Sequence, residues 1–116
     1  MDIRTTGKGL DVGRVLDAHV RRRINFALGR FSRRVKRVHV RLADENGPDG
    51  GMDKTCRIAV RLLRLPAVIV EQTSTDLLTS VEVAADRAGG TVAGRISLAL
   101  TSSSAGDRGV IGKEKP

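Results

Sequence analysis

Apolar residues recur along this chain with two different periods. From Leu10 to Phe31 the repeat is helical, with Leu16, Val20, Ile24, Leu28 and Phe31 three or four residues apart. At about 100° per residue, Leu16, Val20, Ile24, Ala27, Leu28 and Phe31 share one face. Val15, Arg22, Phe26, Gly29 and Arg33 share the other. This pattern predicts a helix over about Val12–Phe31, with Asp11 as N-cap and Leu10 and Val15 at the spacing of a hydrophobic staple. The period then falls to two. Val38, Val40 and Leu42 alternate with Arg37, His39 and Arg41 in a strand over Val35–Ala43. Cys56, Ile58, Val60 and Leu62 alternate with Arg57, Ala59 and Arg61 in a strand over Asp53–Arg64. The polar, glycine-rich stretch 44–51 between them reads as a hairpin loop.

Shorter elements flank this centre. Met1–Thr6 reads as a strand, turned by Gly7, Lys8 and Gly9. A fourth strand, Ala67–Gln72, follows Leu65-Pro66, where proline offers no amide to a ladder. Thr73–Thr75 can cap a second helix, with Asp76 in its first turn and Leu78, Val81, Ala85, Ala88, Val92, Ile96 and Ala99 as its apolar stripe. Gly89-Gly90 interrupts the stripe at roughly 1 kcal/mol each against alanine, so the second half is expected to fray or bend. From Thr101 the chain has nothing to bury. One domain over 1–100 and a disordered tail over 101–116 are therefore expected.

The order is β-α-β-β-β-α, an α+β fold. The first and second strands are linked by a segment long enough for a right-handed crossover, which makes them parallel. Short hairpins make the remaining pairs antiparallel. Both helices then pack on one face of a four-stranded sheet, and the other face carries Arg37, His39, Arg41, Arg57 and Arg61.

Charge sharpens the picture. The net charge is +8, from 21 Lys and Arg against 13 Asp and Glu. Sixteen of the cations are Arg, which forks to phosphate and stacks on bases better than Lys. Residues 21–41 hold nine Arg or Lys, and no acid appears from Ala18 through Ala43. Because apolar residues run through this block at regular spacing, its cations sit on a helix and the strand after it. Such a surface suits a polyanion, with nucleic acid the first partner to consider. Arg21, Arg22, Arg23, Arg30, Arg33 and Arg34 are the candidate phosphate contacts. Phe26, exposed among arginines, is either a surface or partner-contact aromatic or a base-stacking platform.

Enzyme chemistry finds no support. The chain has no Gly-x-Ser-x-Gly elbow, zinc spacing, phosphate loop or paired carboxylates in an apolar setting. His19 and His39 read as surface histidines, and Gly7-Lys8-Gly9 is too short for a nucleotide loop. Cys56, the single cysteine, reads as a buried thiol and excludes an internal disulfide. No cofactor, metal or small-molecule substrate is expected. The N-terminus lacks an apolar signal core and no run is long enough to span a membrane, so a soluble cytoplasmic protein is expected.

At this point the chain resembles a known family, the ribosome hibernation promoting factors or ribosome-associated inhibitors. The resemblance covers about Met1–Arg95. It is carried by MDIRTTGKGLDV, by RRRI in the first helix, by RFSRRVKRVHVRL, by the glycine loop and by TDLLTSVEVAADR. It implies a fold similar to double-stranded-RNA-binding domains. It also implies binding to small-subunit ribosomal RNA near the decoding channel, in 30S or 70S particles, with inhibition of translation and ribosome hibernation under stress or in stationary phase. Arg23 and Arg87 fall on family basic positions, and Arg37 and Arg95 complete the candidate RNA contacts. The sequence departs from the pattern at Leu78, where the family has tyrosine, at Phe26, where lysine is usual, and at Gly90 and Gly94, which thin the basic surface of the second helix. It resembles the short class, in which a homodimer is allowed but not required. The alternatives are a protein-interaction module and a non-ribosomal RNA-binding regulator using the cationic sheet face.

Overall fold

A computed structural model describes residues 1–44 and 53–106. The elements are β1 (Asp2–Lys8), α1 (Arg14–Leu28) with a 3-10 turn over Gly29–Phe31, β2 (Val35–Asp44), β3 (Lys54–Leu62), β4 (Val68–Ser74) and α2 (Leu77–Gly106). The strands form one sheet in the order β1-β2-β3-β4. β1 runs parallel to β2, and the other two pairs are antiparallel. The expected order of elements and the α+β class are both found. The loop expected over 44–51 lies, beyond Asp44, outside the described residues.

Alternation puts one side of each strand under the helices. Ile3, Val38, Val60 and Val68 stand in register across all four strands, and each is buried. Above them lie Val20, Ile24 and Leu28 of α1, all at 0% exposure, and Val81, Ala84, Ala85, Ala88, Val92 and Ile96 of α2. Cys56 belongs to this core, and burial pushes its thiol pKa up to about 12, so it stays a protonated packing group.

Local details depart from the sequence reading, each for a physical reason. α1 starts later than expected, with Gly13 at the N-cap position and no side-chain cap. Asp11 does not serve there. The staple does not form either, because Val15 is 86% exposed while Leu10 and Val12 pack against the core. The chain folds back tightly here: a Cβ on Gly7 would sit 2.7 Å from the Leu10 carbonyl oxygen, and Gly9 has φ +76 against the Asp44 backbone. In this tight turn the apolar side chains close the end of the core, and none is left to clasp the helix. At α2 the cap is Asp76 itself. Its Oδ2 accepts hydrogen bonds from Thr79 N (3.0 Å) and Thr79 Oγ1 (2.8 Å), while β4 extends through the expected cap residues to Ser74. Leu77, not Leu78, packs on the core, and Leu78 is 44% exposed.

The glycine pair gives the largest correction. α2 is continuous through Gly89-Gly90 and runs to Gly106, so the expected fraying of its second half is not found. Residues 107–116 lie outside the described residues. Gly89 is where the helices meet: a Cβ there would sit 2.9 Å from the Ala27 carbonyl oxygen of α1. Gly90 is exposed, and its Cβ would meet nothing within 4 Å. The two glycines therefore predict opposite substitutions. Gly90→Ala should stabilise the protein by up to about 1 kcal/mol in urea denaturation, from helix propensity alone. Gly89→Ala should destabilise it despite the same propensity gain, because the contact it strikes is backbone.

Candidate nucleic-acid interface

The outward side of α1 carries the predicted contacts, and the structure sorts them. Arg22 is exposed. Phe26 is 79% exposed, as expected from the helical plot. Arg21 leans toward β1 and donates from Nε to Asp17 Oδ2 at 2.9 Å, and its guanidinium holds the Asp17 carboxyl below the usual carboxylate range. Arg23 leans toward α2, where Nη2 lies 3.4 Å from Asp86 Oδ1. Its guanidinium also stands 5.5 Å from the Phe26 ring centroid. Surface pairs of this kind contribute between about 0 and 1 kcal/mol, so a phosphate can replace the carboxylate at small cost. His19, read from the sequence as a surface histidine, is half-buried at the same helix-helix seam, 3.9 Å from Glu82.

Arg87 and Arg95 lie elsewhere. They face β4 from α2. Arg87 Nη1 donates to the Glu71 carbonyl (2.8 Å) and to Gln72 Oε1 (3.1 Å). Arg95 Nη1 donates to the carbonyls of Pro66 (3.0 Å) and Ala67 (2.9 Å). Both fasten the last helix to the edge strand and its approach. Arg37 lies on the open side of the sheet, 3.9 Å from Asp2 and in register with Arg61.

One grouping escapes the sequence reading. Antiparallel pairing sets Val35 opposite Leu62, so the start of β2 meets the β3–β4 turn. Lys36, Arg61 and Arg64 thereby share one hollow with Leu63 and Leu65, and Arg64 also borders a second with Arg33 and Arg34. Arg30 stands just before them, its guanidinium 4.6 Å from the Phe31 ring centroid. Arg22, Arg30, Arg33, Arg34, Lys36, Arg61 and Arg64 have no carboxylate within 4.0 Å among the described residues. A cationic ridge therefore runs along α1 and around one end of the molecule. The hairpin LRLP was the available signal, but only the strand register joins it to Arg33 and Arg34.

The open sheet face forms a second cationic surface. Arg4, His39, Arg41, Arg57 and Arg61 occupy neighbouring register positions. His39 Nε2 lies 3.0 Å from Thr6 Oγ1. Partial burial, with Arg41 and Arg4 nearby, lowers the His39 pKa from 6.5. Among the described residues no group of three or more His, Cys, Asp or Glu could hold a metal, and no helix is long and apolar enough to cross a membrane.

A four-stranded mixed sheet with two helices on one face, with arginines crowded on α1 and the segment after it, makes this a small α+β domain. The chain belongs to the Sigma 54 modulation protein / S30EA ribosomal protein family, whose model matches residues 3–93. This bears out the resemblance to the hibernation factors. Among solved structures, the N-terminal domain of Protein Y from Thermus thermophilus is similar at 22% identity and TM-score 0.66, covering 79% of this chain and 96% of that one. A ribosomal subunit interface protein from Coxiella burnetii is similar at 15% identity and TM-score 0.69, covering 84% of this chain and 99% of that one. At these identities both show the fold. No curated protein sequence matches the chain.

Two expectations follow from the contacts. Arg95→Ala should lower stability by about 1–2 kcal/mol, the range for a charged hydrogen bond partly open to water, measured by chemical denaturation. His39 resists protonation in the folded state, so the unfolded chain binds more protons once pH falls below about 6.5. Stability should therefore drop between pH 7.5 and 5.5, and His39→Gln should remove that part of the drop in melting temperature.

Proposed function

We propose that this protein binds small-subunit ribosomal RNA near the decoding channel and inhibits translation, promoting ribosome hibernation under stress or in stationary phase. The observation that carries the reading is the ridge of Arg22, Arg30, Arg33, Arg34, Lys36 and Arg64, cations without carboxylate partners among the described residues, held on the first helix, the segment after it and the β3–β4 turn. Family membership and the likeness to a ribosomal subunit interface protein support it. The work assigned to the protein is steric and electrostatic. Guanidinium groups displace counterions from phosphates, Phe26 offers a ring face to an unpaired base, and the body of the domain occupies space that another RNA would need. Arg21 and Arg23 can join by exchanging their carboxylates for phosphates.

A second reading uses the open sheet face, and the register of Arg41 with Arg57 and of Arg37 with Arg61 favours it. Charge reversal separates the two surfaces. Sucrose-gradient profiles of cell extract should show the protein in 30S, 70S or 100S fractions, sensitive to RNase. The Arg22→Glu/Arg33→Glu/Arg34→Glu variant should move to the top of the gradient, while Arg41→Glu/Arg57→Glu, confined to the open sheet face, should stay bound. The reverse result would transfer the site to the sheet. With about six phosphates neutralised, log affinity should fall with log salt at a slope of roughly −4 to −5, and a slope near zero would contradict the mechanism.

A further inference from the structure

The hollow bordered by Arg33, Arg34 and Arg64 is not purely polar. It has a volume of about 580 Å3 and is lined by those three arginines together with Leu63, Leu65, Ala99 and Leu100. Leu63 is 49% exposed and Leu100 54% exposed, and among the described residues no carboxylate lines the groove. Its backbone carries a second signal. Arg64 has φ +62, the left-handed region that a side chain with a Cβ disfavours. Glycine is the residue such a turn prefers. Here a guanidinium is kept at that position, where it reaches the same groove as Arg33 and Arg34. A local backbone outlier beside a cationic groove points to a use for the side chain.

The chemistry that fits is an anion with an apolar, flat portion. An extended peptide is disfavoured, because Arg95 already occupies the carbonyls of Pro66 and Ala67 where the neighbouring strand edge begins. Leu63, Arg64 and Leu65 also line the neighbouring hollow with Lys36 and Arg61, so cations continue from one to the next, which suits a chain bearing phosphates at intervals. We infer that this groove receives one unpaired nucleotide of an RNA strand. The base lies against Leu63, Leu65 and Leu100, and Arg33, Arg34 and Arg64 hold the phosphates on either side of it. This rests on the RNA-binding reading and adds to it that the strand is single at the point of contact.

The test is fluorescence anisotropy at fixed salt with three probes: a labelled ten-uridine RNA, an abasic ten-mer of the same length, and a ten-base-pair RNA duplex. The wild-type chain should bind ten-uridine RNA about tenfold more tightly than the abasic strand, as expected for one base in contact, and more tightly than the duplex. Arg64→Gly should weaken that binding about fivefold or more while the melting temperature holds or rises, since the turn loses its strain. Leu63→Ala and Leu100→Ala, both at exposed positions, should bring the ratio of uridine to abasic affinity toward one. Equal wild-type affinity for uridine and abasic strands would overturn the inference. So would unchanged binding by Arg64→Gly, or tighter binding of an acidic, leucine-bearing peptide than of the RNA. Wild-type co-sedimentation with ribosomes is read separately. Its presence alongside any of those results removes the groove alone, whereas its absence removes the wider reading.

Discussion

Everything in this fold depends on burying the sheet from one side only. Beyond a register shift between Val35 and Arg37, β2 and β3 alternate regularly, and their antiparallel register places Val38 on Val60 and Val40 on Ile58. A shift of one residue would send the whole valine and isoleucine set to water and bring arginines under the helices. Burying an unpaired guanidinium costs far more than the apolar set returns. The apolar core and the cationic face are therefore a single constraint seen from two sides. The register that fills the core also lines up Arg37 with Arg61 and Arg41 with Arg57.

The helices meet at one point that this arrangement leaves little freedom to change. Both must cover the same sheet face, so they lie side by side, and Gly89 lets α2 approach the Ala27 backbone. The seam beside that contact is dressed with opposite charges, Arg23 with Asp86 and His19 near Glu82. Acids on α2 thus answer the basic helix, and the inward-leaning cations of α1 are partly neutralised there. What remains uncompensated is displaced outward and toward the end of α1. The cationic ridge is, in this sense, the residue left after packing has used what it needs.

Periodicity was enough to read the strands, the helical faces and the parallel first pair, because each follows from local alternation or from the length of a connection. Exposure of Phe26 and burial of Cys56 followed from the same rules. Three kinds of feature were not legible. Capping at Asp76 in place of Thr73–Thr75 depended on how far β4 ran, and strand ends are set by pairing with β3. Gly89 read as a breaker because a sequence does not show which helix face meets a neighbour's backbone. Arg64 and Lys36 were missed as members of the cationic end because about thirty residues separate Arg33 from Arg64, and only the hairpin register closes that gap. The family resemblance placed Arg23 and Arg87 on basic positions, but position alone did not show that Arg87 holds the Glu71 carbonyl.

Net charge by itself would not explain why the proposed RNA binding needs a folded chain. The unfolded chain carries the same +8 and would also attract a polyanion. Screening over about 8 Å at physiological salt makes the difference. In an expanded chain, most cation spacings exceed that length and the charges act singly. In the folded chain, Arg33, Arg34 and Arg64 border one groove, and their fields add over a short stretch of backbone phosphate. That concentration costs stability through mutual repulsion, which a bound phosphate chain relieves in the folded state more than in the unfolded one. The buried valines and isoleucines hold the arginines together against this repulsion. In the proposed recognition, the core's contribution is to keep like charges closer than they would otherwise remain.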